Sequence, residues 1–245
     1  MRITSLSALI TIMFCLAVLT GCDDGPIHEK EYVPTTTGYT AVVKGTFKKQ
    51  STWTSGYSVV VAGFSDKSDY AIIQKTLAAK NNEDTEISTT LSNISDTTKT
   101  LEIAVVNSLR KRVATLFSYE IPANQQIKDT IRLNVGELNV GMFATINKEI
   151  FQGKNCSRCH ASPTATAHLD LTSDNAYKSI VGVESYKNPE YMRVKPGSAD
   201  SSFLYKVITT GDERVAYNHP ALFVDSKYAT FQTIIKKWIN DGAKE

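Results

Sequence analysis

The strongest constraint on the fold of this chain is an alternation of apolar and polar residues that begins at residue 39. In the first run Tyr39, Ala41, Val43 and Phe47 alternate with polar residues, which is the period of a half-buried strand. Six more β-type runs follow, separated by turns rich in Ser, Asp and Asn: Tyr57–Phe64, Tyr70–Leu77, Glu86–Leu91, Leu101–Val106, Val113–Tyr119 and Thr130–Val135. Seven short strands in about 100 residues predict an immunoglobulin-like β-sandwich over residues 39–137.

From residue 138 onward the apolar residues recur at helical spacing. Phe143, Ile146, Ile150 and Phe151 form one such set. A second set predicts a final helix, which Asp225 or Ser226 would cap and Gly242 would end: Phe231, Ile234, Ile235 and Trp238. The pattern predicts a separate helical domain over residues 138–245.

The N-terminus has the features of an export signal. Met1 and Arg2 precede an uncharged apolar run from Leu6 to Leu19, which is shorter than the roughly 20 residues that span a bilayer. The run ends in Leu19-Thr20-Gly21-Cys22, which resembles the bacterial lipoprotein signal. That resemblance implies removal of residues 1–21 and acylation of Cys22. An ordinary signal peptide with a chance cysteine is the alternative.

This signal predicts an exported protein held in the cell envelope by its N-terminal lipid, with the choice between inner and outer membrane open. Residues 22–38 contain two prolines and three consecutive threonines, a composition typical of a tether. The chain carries 27 Lys and Arg against 25 Asp and Glu without a basic block, so nothing indicates nucleic-acid binding.

The C-terminal region contains one motif with a defined chemistry, Cys156-Ser157-Arg158-Cys159-His160. Residues i, i+3 and i+4 share one side of a helical turn, so two thiols can reach the two vinyl groups of a porphyrin while the imidazole lies under the iron. The motif predicts one covalently attached haem c, with Cys156 and Cys159 as attachment points and His160 as iron ligand. The alternatives are a redox dithiol, a zinc site or a short disulfide.

The residues around this motif resemble the class I cytochrome c module of exported multidomain bacterial proteins. The resemblance covers residues from Phe151 to the C-terminus and rests on these stretches: Leu169-Asp170-Leu171, Ala176-Tyr177, Arg193-Val194, Pro196-Gly197, Ser202, Leu204, Trp238-Ile239 and Gly242-Ala243. It implies a haem fold of three to five helices. The expected fold class is therefore multidomain, with an all-β immunoglobulin-like sandwich followed by an all-α cytochrome c domain.

The sequence departs from this family at the sixth iron ligand. The relatives carry a Met-Pro pair before the last helix, where this chain has His219-Pro220. The resemblance therefore implies His219 as the ligand, with Met192 or an open site as alternatives, whereas Met142 is expected in the core. Arg193 is expected either to bond a haem propionate or to be an ordinary surface residue.

A single haem without a catalytic constellation predicts an electron carrier rather than an enzyme, with a redox partner that the sequence does not identify. A haem enzyme or gas sensor with an open sixth site is one alternative. A sandwich that acts as a binding module beside an accessory cytochrome is another, and an exposed aromatic patch at Trp53 and Tyr57 would favour it.

Overall fold

The computed structural model describes residues 38–80, 82–124, 129–161 and 166–245. The predicted signal peptide, the lipidation site Cys22 and all of the tether except Gly38 lie outside these residues. Seven strands form the first part of the described chain: β1 (Tyr39–Lys48), β2 (Tyr57–Phe64), β3 (Ile73–Thr76), β4 (Ile87–Ile94), β5 (Thr100–Asn107), β6 (Arg112–Glu120) and β7 (Thr130–Asn139).

The strands form two sheets. In the three-stranded sheet, of order β4-β1-β7, Val43 pairs with Thr89 of the antiparallel β4 and with Leu133 of the parallel β7. The four-stranded sheet has the order β3-β2-β5-β6, with every pair antiparallel and Val60 opposite Ala104 at its centre. This arrangement is compatible with an immunoglobulin-like sandwich.

The two sheets enclose a core built from the alternating residues. Val43 of β1, Val61 of β2 and Leu91 of β4 belong to one buried cluster with Ile103 of β5. Strand β2 is buried on both faces from Val59 onward. A small second cluster that includes Ala71 covers its outer face.

Short helices and turns make up the rest of the described chain. The α-helices are α1 (Met142–Ile146), α2 (Ala176–Ile180), α3 (Phe203–Thr209) and α4 (Ser226–Asn240). Helix α1 continues as a wider π-helical segment, Asn147–Gln152. Single 3₁₀ turns lie at Gln50–Thr52, Cys156–Arg158 and His219–Phe223, and a kinked turn lies at Thr166–His168.

The expectation of an all-α cytochrome c domain is wrong. The described chain is mainly β-sheet, and its four α-helices contain only 5, 5, 7 and 15 residues. Extended backbone interrupts the C-terminal part, where isolated bridges join Val181 to Val194 and Met192 to both Glu184 and Ser202.

The C-terminal helices share a core with the sandwich, which explains this difference. Residues 38–245 belong to one compact unit. Val105 of β5 and Val113 and Ala114 of β6 lie in the same buried cluster as Phe143, Phe151 and Trp238. The helices therefore bury their apolar faces partly against strands instead of only against one another.

Hydrogen bonds fix the junction between the sheets and the helices. The Met142 amide donates to the Thr52 hydroxyl at 2.8 Å, and the Trp53 indole N–H donates to the Val140 carbonyl at 2.6 Å. Helix α4 begins after Asp225, whose carboxylate accepts the Lys227 amide at 2.8 Å, as a capping residue does. Among the described residues, no helix has the length and apolar character needed to cross a bilayer.

Candidate functional site

One turn carries the three residues of the Cys-x-x-Cys-His motif. Asn155 has a left-handed backbone conformation (φ 57°) and starts the turn Cys156–Arg158. The Cys156 carbonyl then accepts the amides of Cys159 at 3.2 Å and His160 at 3.1 Å. The backbone is thus wound in the helical sense that the sequence argument requires.

The two cysteines are free thiols in different surroundings. Cys156 is partly buried against the shared core, and its Sγ donates to the Ile150 carbonyl at 3.5 Å, whereas Cys159 is exposed. Burial raises the pKa of the Cys156 thiol to about 11. Catalytic dithiols instead have a lowered cysteine pKa, so this environment disfavours a redox dithiol.

His160 is half-buried and one of its ring nitrogens has a defined partner. Its Nδ1 lies 2.9 Å from the Thr166 carbonyl oxygen, which can only accept, so we assign the proton to Nδ1. The ring then has its lone pair on Nε2. The pKa of His160 is lowered, first by burial and then by the positive charge of Arg193, against the opposing effect of the Thr166 bond, so the imidazole is neutral near pH 7.

His219 has the same arrangement. It begins the turn His219–Phe223, and Pro220 follows it within the first turn. Proline has no N–H, and the first N–H groups of a helical turn have no acceptor within the turn, so no hydrogen bond is lost. The Nδ1 of His219 lies 3.1 Å from the Tyr217 carbonyl oxygen, so its lone pair also belongs to Nε2.

The structure places His219 within electrostatic range of His160, although they are far apart in the sequence. The pKa of His219 is lowered by burial first and also by repulsion from the positive charge that His160 carries when protonated, while the bond to Tyr217 opposes the shift. Two imidazoles with the same assigned tautomer therefore lie within electrostatic range of each other. Ligand histidines in proteins typically donate their second ring N–H to a carbonyl or carboxylate in this way.

Arg193 is partly buried and binds backbone carbonyls. Its guanidinium donates to the Ser179 carbonyl at 2.7 Å, to that of Ala167 at 3.1 Å and to that of His168 at 3.0 Å. It thereby ties helix α2 to the turn whose Thr166 carbonyl orients His160. Arg193 is a structural link in this chain, and its contact with a propionate remains a prediction.

The two methionines considered above and a further histidine, His168, lie in different surroundings. Met142 is fully buried in α1, whereas Met192 is 41% exposed and its carbonyl accepts the Phe203 amide at 2.9 Å. His168 packs edge-on against Tyr186, with ring centroids 4.7 Å apart. Within the described ranges no three His, Cys, Asp or Glu side chains converge on one metal site, while a haem iron takes at most two protein ligands.

Sequence reasoning missed two tyrosines that pack against histidines, Tyr217 against the proposed ligand His219 and Tyr186 against His168. Tyr217 packs edge-on against His219 at 4.9 Å, and both Tyr217 and Tyr186 are 61% exposed. The position of Tyr217 two residues before His219 was a usable signal for it. The Thr166 carbonyl had none, because any residue type carries a backbone acceptor.

The residues present fit a covalently attached haem. Two thiols and one imidazole share a turn, a second imidazole lies within electrostatic range of the first, and both rings form a hydrogen bond through Nδ1. Large apolar side chains in this part of the chain are exposed and suit contact with a flat apolar ring: Tyr186, Met192, Tyr217 and Val224.

Comparison with known proteins adds no assignment, because no protein-family model, no curated protein and no solved structure matches the chain. A functional proposal therefore depends on the sequence motifs and the geometry of this site.

Proposed function

We propose that this protein is a c-type cytochrome that transfers electrons in the bacterial cell envelope through one haem bound to Cys156 and Cys159. The observation that carries the proposal is the Cys-x-x-Cys-His turn together with His219, which lies within electrostatic range of His160 and has the same assigned tautomer. The haem would be held by short helices and turns that extend from a β-sandwich.

The chain's own residues account for how such a group would be held. Cys156 and Cys159 would provide the thioether sulfurs, and His160 and His219 would provide the Nε2 ligands. The carbonyls of Thr166 and Tyr217 keep each proton on Nδ1 and so fix the rings against rotation. When bound, the haem supplies a one-electron couple.

Two protein ligands favour electron transfer over catalysis. Carbonyl-anchored imidazoles hold a fixed arrangement, which limits the geometric change between the two oxidation states. His219 as sixth ligand would also occupy the position that a substrate or a gas needs in a haem enzyme or sensor. The open-site alternative is therefore the less favoured one.

A membrane tether completes the proposal. Cys22 would be the acylated first residue of the mature chain, which anchors a protein stably because more than one acyl chain is attached. Replacing Cys22 with Ser should release the protein into the soluble envelope fraction or leave it unprocessed. A Cys22→Ser protein that is still processed and still sediments with membranes contradicts this assignment.

The experiment that tests the function is an optical redox titration of Cys22→Ser protein produced in a host with the c-type maturation machinery. We expect low-spin spectra in both oxidation states and a single one-electron transition. His219→Ala should become high-spin in the ferric state and return to low spin on addition of imidazole, while His168→Ala, the matched control, should keep the parent spectrum.

Two results would contradict the proposal. Rapid binding of carbon monoxide by the reduced parent protein would indicate an open sixth site. An unchanged low-spin spectrum in His219→Ala would exclude His219 as ligand and make Met192 the next candidate.

A further inference from the structure

A cleft of about 320 Å³ lies between the segment that connects β1 to β2 and the end of helix α4. The connecting segment contributes Ser51, Trp53 and Thr54, and the helix end contributes Trp238 and Asp241. None of the residues proposed to hold the haem lines this cleft. It is therefore a candidate for a second, separate site.

The aromatic wall of the cleft is rigid. The Trp53 indole N–H donates to the Val140 carbonyl at 2.6 Å, and the Trp238 indole N–H donates to the Lys244 carbonyl at 2.7 Å. Both indoles therefore present only apolar ring surface to the cleft. Trp238 is 2% exposed, so the partly exposed Trp53 provides the accessible wall, which Tyr57 supports at 5.8 Å between ring centroids.

The rest of the lining is polar and balanced in charge. Ser51, Asp241 and Lys244 are exposed at its rim. The formal charges of Asp241 and Lys244 sum to zero. The Thr54 hydroxyl oxygen is enclosed by protein atoms, so the exposed Ser51 and Asp241 provide the polar groups that a ligand can reach.

We infer that this cleft binds a neutral sugar in its pyranose form. A pyranose has an apolar C–H face that fits an indole ring whose N–H is already used, and a rim of hydroxyls that fits Asp241 and Ser51. The volume lies at the small end of ligand sites and suits one ring. The absence of net formal charge between Asp241 and Lys244 favours a neutral ligand. The inference does not depend on the haem.

The test uses full-length Cys22→Ser protein and methyl glycosides of neutral hexoses, followed by isothermal titration calorimetry and saturation-transfer NMR. A ligand of this size is expected to bind with a dissociation constant of about 1 mM. Trp53→Ala should weaken binding about tenfold by removing the aromatic contact. Asp241→Asn, an exposed change that leaves the core intact, should weaken it about fivefold.

The matched control is Tyr70→Ala, which removes a 51% exposed aromatic ring that does not line the cleft and should leave affinity unchanged. The inference is overturned if no glycoside shows saturable binding at about 50 mM, well above the constant expected for so small a ligand. It is also overturned if binding is unaffected by Asp241→Asn, or if zwitterionic amino acids bind and glycosides do not.

Discussion

Replacing Phe143 with Ala should test how the helices are attached to the sheets. Phe143 is 5% exposed, and its ring centroid lies 5.1 Å from that of Tyr177, 5.3 Å from Trp238 and 6.4 Å from Phe151. Truncation leaves a cavity among three aromatic rings, and such changes cost about 4 kcal/mol of the free energy of unfolding. For a unit of this size we expect Tm to fall by about 10 °C.

The assay is thermal and urea denaturation of Cys22→Ser protein, followed by far-UV circular dichroism and by tryptophan fluorescence. Because Val105 and Val113 share the cluster of Phe143, strands and helices should unfold in one coincident transition. Phe143→Leu, which keeps most of the volume, should cost less than about 1.5 kcal/mol. A loss below about 1 kcal/mol for Phe143→Ala, or a loss of helix signal with an unmoved sheet transition, would refute the shared core.

Two further predictions concern the loops around the paired histidines. Arg193→Met removes hydrogen bonds to three carbonyls and should destabilise the protein by about 2 kcal/mol. The same change removes a positive charge that lowers the pKa of His160. The pKa of His160, measured by NMR titration of protein without haem, should therefore rise. Asp212 accepts a hydrogen bond from the Lys206 ammonium and another from the Arg214 amide. These bonds lower the pKa of Asp212 to about 2. The stabilisation is therefore present above the usual carboxylate pKa near 3.8 and is lost as pH falls through about 2. The urea midpoint of Asp212→Asn should accordingly lie below that of the parent at pH 6 and converge with it near pH 2. A difference in urea midpoint that does not change with pH would contradict this account of Asp212. An Arg193→Met protein with the stability and the His160 pKa of the parent would contradict the account of Arg193.

Strand positions follow from the sequence because each strand places alternate residues in one core. The run predicted at Tyr57–Phe64 is strand β2 with the same bounds. The run predicted at Tyr70–Leu77 is shortened to Ile73–Thr76, because the Ala71 amide donates to the Arg110 carbonyl instead of to a neighbouring strand. A hydrogen bond between Ala71 and the β5–β6 turn does not change the alternation of apolar residues, so the sequence does not show where the strand begins.

The error in the helical part has a different cause. Helical spacing identified helix α4, and Asp225 caps it as one of the two predicted residues. Spacing reports that a helix has an apolar face, but it does not say what the face contacts. The burial of Phe143 with Val113 of β6 joins residues from the two predicted domains, so a separate all-α domain could not be distinguished from helices packed on a sheet.

The candidate site could be predicted only in part for a similar reason. The spacing of Cys156, Cys159 and His160 carries a chemical requirement of its own, so the motif alone predicts a haem attachment turn. The placement of His219 within electrostatic range of His160 depends on the path of the intervening chain, and only the resemblance to the cytochrome family predicts it. The carbonyls that orient both rings belong to the backbone and have no residue signature.

The central claim is a covalent haem on Cys156 and Cys159, and intact-protein mass spectrometry under denaturing conditions tests it most directly. Cys22→Ser protein matured in a competent host should carry the added mass of one haem after acid-acetone extraction. The variant with both Cys156 and Cys159 replaced by Ser should have the mass of the bare polypeptide. A parent protein that has the bare mass, with its haem in the solvent or with zinc in its place, would contradict the account.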